Sequence, residues 1–138
     1  MTKIIVDAIV TEKIDRIWNA WTNPQEIIKW YFATSDWEAP FAKNDLRVNG
    51  RFVTRMVAKD KSSSFDFEGK YTKIITNEVI EYVMDDGREV SIKFEKVSQG
   101  IKIIEIFDAE KEHPVEMQKQ GWQAILNNFK KYVENRAN

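Results

Sequence analysis

VEMQKQGWQAILNNFKKYVENR, residues 115–136, is the stretch that decides the architecture. Its residues Gly121, Trp122, Ile125, Leu126, Phe129, Tyr132 and Val133 recur at spacings of three and four, which places them on one side of a helix from about Val115 to Arg136. At ~1.5 Å per residue such a helix spans roughly 30 Å, enough to cross a small sheet. A face this broad cannot be buried by the helix alone, so the rest of the chain must supply a surface for it. Trp122, Ile125, Leu126 and Phe129 are expected to face inward, with Lys119, Gln123 and Lys130 elsewhere.

Upstream of the helix the period is two. Phe52, Thr54, Met56 and Ala58 alternate with Arg51, Val53, Arg55 and Val57, and Phe65, Phe67, Gly69 and Tyr71 alternate with Asp66, Glu68 and Lys70. Thr76-Asn77 leads into Val79 to Met84, and Asp85-Asp86-Gly87 is a hairpin signal before Val90, Ile92 and Phe94. Ser98-Gln99-Gly100 turns into Ile101 to Phe107. Strands in succession with short turns make an antiparallel meander rather than βαβ units.

The N-terminal third completes the set. Ile4 to Val10 reads as a strand. Thr11 is placed to cap a short helix carrying Ile14, Ile17, Trp18 and Trp21. Asn23-Pro24-Gln25-Glu26 opens a second short helix with a cap, a first-position proline and a glutamate suited to a capping box. From Ala33 to Asn49 the text is irregular, with short extended pieces around Trp37 and Leu46. The expected fold is α+β: about six or seven antiparallel strands curved around a long C-terminal helix, with two short helices after the first strand. No linker or repeat interrupts the chain, so residues 1–138 read as one domain.

The net charge of -1, from 21 basic and 22 acidic residues, lacks the electrostatic footprint of a nucleic-acid binder. The absence of cysteine excludes disulfides, a thiol nucleophile and thiolate metal sites. No signal-like segment follows Met1, and no run reaches the ~18 apolar residues of a membrane span, so a cytoplasmic setting is expected. A single histidine, His113, has no second histidine beside it, and no Ca2+-loop pattern is present; no metal or cofactor is expected. His113 itself, next to Pro114, reads as solvated or capping.

Four stretches in order carry a family resemblance: Ala20-Trp21-Thr22-Asn23-Pro24 through Ile28 and Trp30, then Asp45 through Phe52, then Gly69-Lys70-Tyr71, and finally Gly121 through Leu126. Together they resemble the SRPBCC superfamily, and within it the branch named for its similarity to the heat-shock-protein-ninety ATPase activator. The resemblance implies a helix-grip, START-like fold with a cavity between sheet and helix. It also implies a range of roles: binders of lipids, hormones and polyketide-like molecules, aromatase/cyclase enzymes, and a chaperone activator's domain. The chain departs from the pattern at Thr11-Glu12, at Asn49, where a glycine is common, and at Gln118 and Gln120, where histidine often precedes the Gly-Trp pair.

Five Trp, eight Phe and four Tyr supply many large rings for core or pocket wall. Trp18 and Trp21 sit at core spacing. Trp30 and Trp37 flank the irregular segment and suit either role, while Phe52, Phe67 and Tyr71 lie on strand faces that look toward the helix. Gly121 signals either close approach of helix to sheet, the slightly preferred explanation, or room for a ligand; Met117 and Trp122 would line what space remains. Glu105 is in phase with Ile101, Ile103 and Phe107, while Ile104 and Ile106 take the other face. If the first set points inward, a carboxylate enters the cavity; if the second does, Glu105 is solvated, and the solvated reading is slightly preferred.

The leading expectation is therefore a cavity bounded by Trp30, Trp37, Phe52, Phe67, Met117 and Trp122 that binds a small, largely apolar molecule, oriented by Glu105 or Tyr71. No catalytic residue is assigned. Two alternatives stand beside it: a cyclase- or aromatase-like enzyme using Glu105, Tyr71 and Tyr82, and a chaperone-partner module. A homodimer contact also stays open.

Overall fold

A computed structural model of the protein describes residues 2–135. The elements run β1 (Lys3–Val10), α1 (Ile14–Thr22), α2 (Pro24–Ile27), β2 (Trp37–Asn44), β3 (Arg51–Ala58), β4 (Ser64–Ile75), β5 (Val79–Met84), β6 (Glu89–Val97), β7 (Gly100–Asp108) and α3 (Val115–Asn135). The expected helix end at Arg136 lies outside the described residues. Seven strands form one antiparallel sheet in the order β1-β7-β6-β5-β4-β3-β2, curled around α3. This is the α+β helix-grip arrangement that the alternation and the final helix predict.

Inward residues of β1, β6 and β7 form the tightest part of the core. Ile4, Val6 and Val10 on β1, Val90, Ile92 and Phe94 on β6, and Ile101, Ile103 and Phe107 on β7 are all buried. Against them α3 sets Leu126, Phe129 and Val133, each with no exposed surface. Trp21 and Trp30 close on Phe129 with ring centroids 4.7 and 4.6 Å away, so the short helices are plugged into the same cluster. Trp30 is fixed further by an Nε1–H bond to the Ala20 carbonyl, 3.0 Å.

α3 also answers the hydrogen-bonding needs of the sheet's first edge. Gln123 donates to the Asp7 carbonyl at 2.9 Å, Lys130 donates to the Ile9 carbonyl at 2.6 Å, and Glu134 accepts from the Thr11 amide at 2.8 Å. Gln123 and Lys130 thus do more than sit away from the core: they cover an edge strand whose free carbonyls would otherwise invite another chain.

Several local readings change. Thr11 is not the cap of α1: that position belongs to Lys13, which makes no side-chain cap, and the Thr11 amide is taken by Glu134. Asn23 does cap α2, accepting from the Gln25 amide, but Glu26 makes bonds to Arg16 and Tyr132 that reach other helices. The stretch read as irregular contains an eight-residue strand, β2, with Pro40 inside it. β2 is the other edge of the sheet, where a residue without an N–H is tolerated. Leu46 lies outside the strand and is exposed.

Asn49 and Gly50 show why the loop before β3 needs its sequence. Asn49 has a φ of 71°, a left-handed conformation that asparagine tolerates better than most residues, which accommodates the missing glycine there. A Cβ on Gly50 would lie 2.0 Å from the Asp45 carbonyl oxygen, so no larger residue fits.

Gly121 reverses the slightly preferred expectation of close packing. A Cβ at that position would meet nothing within 4 Å. Gly121→Ala is therefore expected to raise stability by about 0.5–1 kcal/mol, the helix-propensity difference between the two residues. Urea melts of the two proteins check it; a loss of stability would reveal a close contact at that turn.

Candidate functional site

The sheet cannot follow the helix along its whole length. Where Leu126, Phe129 and Val133 fill the interior the two are in contact; toward the start of α3 they part. A cavity of about 450 Å³ opens there. The rings of Trp21, Trp30, Tyr31, Phe65, Phe67 and Trp122 form most of its wall, with Met56, Met84 and Ile125 between them. Phe67 on β4 and Trp122 on α3 approach edge to face at 5.9 Å, so sheet and helix each contribute an aromatic side. Trp122 is held from behind by stacking on Phe107, with centroids 3.8 Å apart and planes 10° from parallel. Asp66, Glu68, Asp85, Asp86 and Arg88 ring the mouth.

Glu105 brings a carboxyl to the cavity from β7. Its neighbours across the ladder are Val6 on β1 and Ile92 on β6, both buried. That register settles the question left open by two apolar faces on β7: Ile101, Ile103, Glu105 and Phe107 point inward, and Glu105 is only 5% exposed. The solvated reading is corrected. Among the described residues no hydrogen bond to the Glu105 carboxyl is made, and loss of hydration pushes its pKa up from 4.5 to about 8. Tyr31 and Tyr82, whose hydroxyls interact with each other, lie close enough to feel its charge. Burial raises both phenols well above the ordinary tyrosine range.

The expected site residues divide three ways. Trp30, Phe67, Glu105 and Trp122 line the main cavity. Phe52 and Tyr71 line a smaller hollow of about 40 Å³, which shares Trp21, Tyr31 and Phe67 with it. Burial holds the Tyr71 hydroxyl at about 12. Trp37 and Met117 are corrections. Trp37 packs edge-on against Phe65, 5.9 Å between centroids, and so backs the wall without belonging to it. Met117 is 56% exposed on the first turn of α3 and lines neither hollow.

Tyr31 is the most useful residue missed, and the aromatic run Trp30-Tyr31-Phe32 carries a signal for it. His113 stands exposed beside Glu110, whose carboxylate accepts from the amides of Glu112 and His113 and so organises the loop before α3. No helix among the described residues is long and apolar enough to cross a membrane.

A sheet wrapped on a C-terminal helix over a ring-lined cavity is a shape that can be compared with known proteins. The profile of the family described as "Activator of Hsp90 ATPase homolog 1-like protein" matches residues 12–134. The chain belongs to that family. It is similar to the AHSA1-like protein from Aeromonas hydrophila, solved by NMR, at 43% identity over 97% of this chain and 93% of that one, with a TM-score of 0.91. A Cytophaga hutchinsonii protein is 47% identical over 96% of this chain and 92% of its own, with a TM-score of 0.84. A Chromobacterium violaceum protein, 21% identical over 97% and 99%, has a TM-score of 0.83 and supports the fold alone. No curated protein matches the sequence. Family membership accounts for the order of the four motifs; the chemistry of the cavity has to be read from the cavity.

Proposed function

We propose that this protein binds a small, largely apolar molecule between the sheet and the first half of α3. One observation carries the reading: a cavity of about 450 Å³ walled by rings from both layers, with a single carboxyl in its interior. Ligand sites are commonly of this size and composition, with few polar groups set among apolar walls.

The test is a titration with the neutral, environment-sensitive dye Nile red, followed by dye emission and by tryptophan fluorescence. Saturable binding is expected, weakened at least about tenfold, or about 1.4 kcal/mol, by Trp122→Ala and by Phe67→Ala. Circular dichroism keeps the comparison to folded variants. Absence of saturable binding to the wild type would overturn the reading.

A catalytic second reading has one observation in its favour: Glu105, with a pKa of about 8, holds a proton at neutral pH and is placed to donate it. It is carried less far, because Tyr71 and Tyr82, its expected partners, both line the smaller hollow, although Tyr82 lies close enough to feel the charge of Glu105. The family description alone supports a chaperone-partner role.

A further inference from the structure

The cavity holds one feature that apolar binding leaves unused. Glu105 is buried, lines the cavity, and has no hydrogen bond from any described residue. Burying a carboxyl without a partner is costly, and the same strand position filled by Ile or Val would extend the apolar layer made by Val6 and Ile92. The carboxyl is thus complete only when something in the cavity meets it.

The charges around it decide what that something is. Three arginines stand near the mouth, and each is already engaged: Arg51 with Asp85 at 2.7 Å, Arg55 with Asp66 at 2.9 Å, and Arg88 with Asp86 at 2.8 Å. Among the described residues at the mouth, an anion entering would meet no unengaged arginine, and inside it would meet a carboxyl. A cation would pass Glu68 at the mouth and reach Glu105 within. On the way it would pass among tryptophan, tyrosine and phenylalanine rings, and a cation that reaches a ring face is attracted by its quadrupole most strongly where water is excluded.

We infer, on the footing of the apolar-ligand reading, that the ligand class is a flat hydrophobic cation, a protonated amine or nitrogen heterocycle, whose N–H donates to the Glu105 carboxylate. The pairing is an N⁺–H to carboxylate bond, the strong kind in a low-dielectric site. Binding is coupled to a proton. Before the ligand arrives the carboxyl is mostly protonated at neutral pH, held so by its dry surroundings. The other titratable groups that sense it are Tyr31 and Tyr82, both too weakly acidic to ionise there, with Tyr71 beside them. From β1 and β6 the facing residues are Val6 and Ile92, and from α3 Trp122 and Ile125, none of which titrates. The rim adds Asp66, Glu68, Asp85, Asp86 and Arg88. An arriving cation stabilises the carboxylate, so about one proton leaves as the ligand binds.

Three tricyclic probes of one shape separate the terms: cationic 9-aminoacridine, neutral anthracene-9-carboxamide and anionic anthracene-9-carboxylate. Titration calorimetry at pH 7 is expected to show the cation binding at least about tenfold tighter than the neutral probe, with the anion weakest. Repeating the cation titration in two buffers of different ionisation enthalpy should reveal release of about one proton. Glu105→Gln should abolish both the preference and the proton release while the neutral probe still binds. If the neutral or anionic probe binds the wild type as tightly as the cation, or Glu105→Gln keeps the preference, the cation inference is overturned and cavity binding stands. If none of the three binds, both readings fall.

Discussion

Replacing Phe129 by alanine is expected to destabilise the protein by about 3–5 kcal/mol, the usual cost of emptying a fully buried aromatic site. Phe129 has no exposed surface, and its ring is shared by Trp21 and Trp30 from the two short helices and the segment after them. Those two indoles touch each other with centroids 4.9 Å apart, so the cavity left by Phe129 cannot close by one of them moving alone. Urea denaturation of Phe129→Ala and of Phe129→Leu measures the effect, and the leucine variant should recover much of the loss. A drop of less than about 1 kcal/mol for the alanine variant would mean that α3 docks on the sheet in some other way.

The second large effect is a pH dependence. Glu105 has a pKa of about 8 in the fold and an ordinary value near 4.5 when the chain is unfolded. Between those values the unfolded state has given up the proton and the folded state keeps it. The unfolded state therefore binds fewer protons, and stability falls as pH rises, by up to about 1.4 kcal/mol per pH unit, then levels off above about pH 8. The full contribution is present below the unfolded value and is lost through the folded one. Other groups titrate in the same range, so the quantity to measure is the difference in unfolding free energy between the wild type and Glu105→Gln at pH 5, 6, 7 and 8. That difference should move in favour of the variant by roughly 3 kcal/mol across the range. Parallel curves for the two proteins would show that Glu105 ionises in the fold as it does in water.

The same residue shows where sequence reading stopped. Regular elements were legible because their periods were strong: two in β3, β4 and β6, and three-and-four in α3. In β7 both faces are apolar, Ile101, Ile103 and Phe107 on one and Ile104 and Ile106 on the other, so alternation alone cannot orient Glu105. Orientation comes from the register with Val6 and Ile92, a long-range fact. β2 was hidden by Pro40 and by the polar residues that an edge strand carries. Met117 has the residue type of a cavity wall, yet it is exposed on the first turn of α3, as is Val115. Tyr31 was reachable from the aromatic run it sits in, but its partners Tyr82 and Glu105 belong to β5 and β7.

The pairing of β1 with β7, and the cover that α3 gives to the outer side of β1, set an order of events during synthesis. During synthesis β1 emerges well before β7, the strand it pairs with. The hairpins from β2 through β6 can zip as they appear, because each needs only its neighbour. β1 must wait for β7, and its far edge must wait longer still: the bond from Thr11 to Glu134 joins residues 123 positions apart. Contacts this distant in sequence are slow to form, and an unpaired strand edge is exposed to other chains in the meantime. The last turns of α3 therefore act as a clasp, and a nascent chain released before they are made carries an open sheet at both ends.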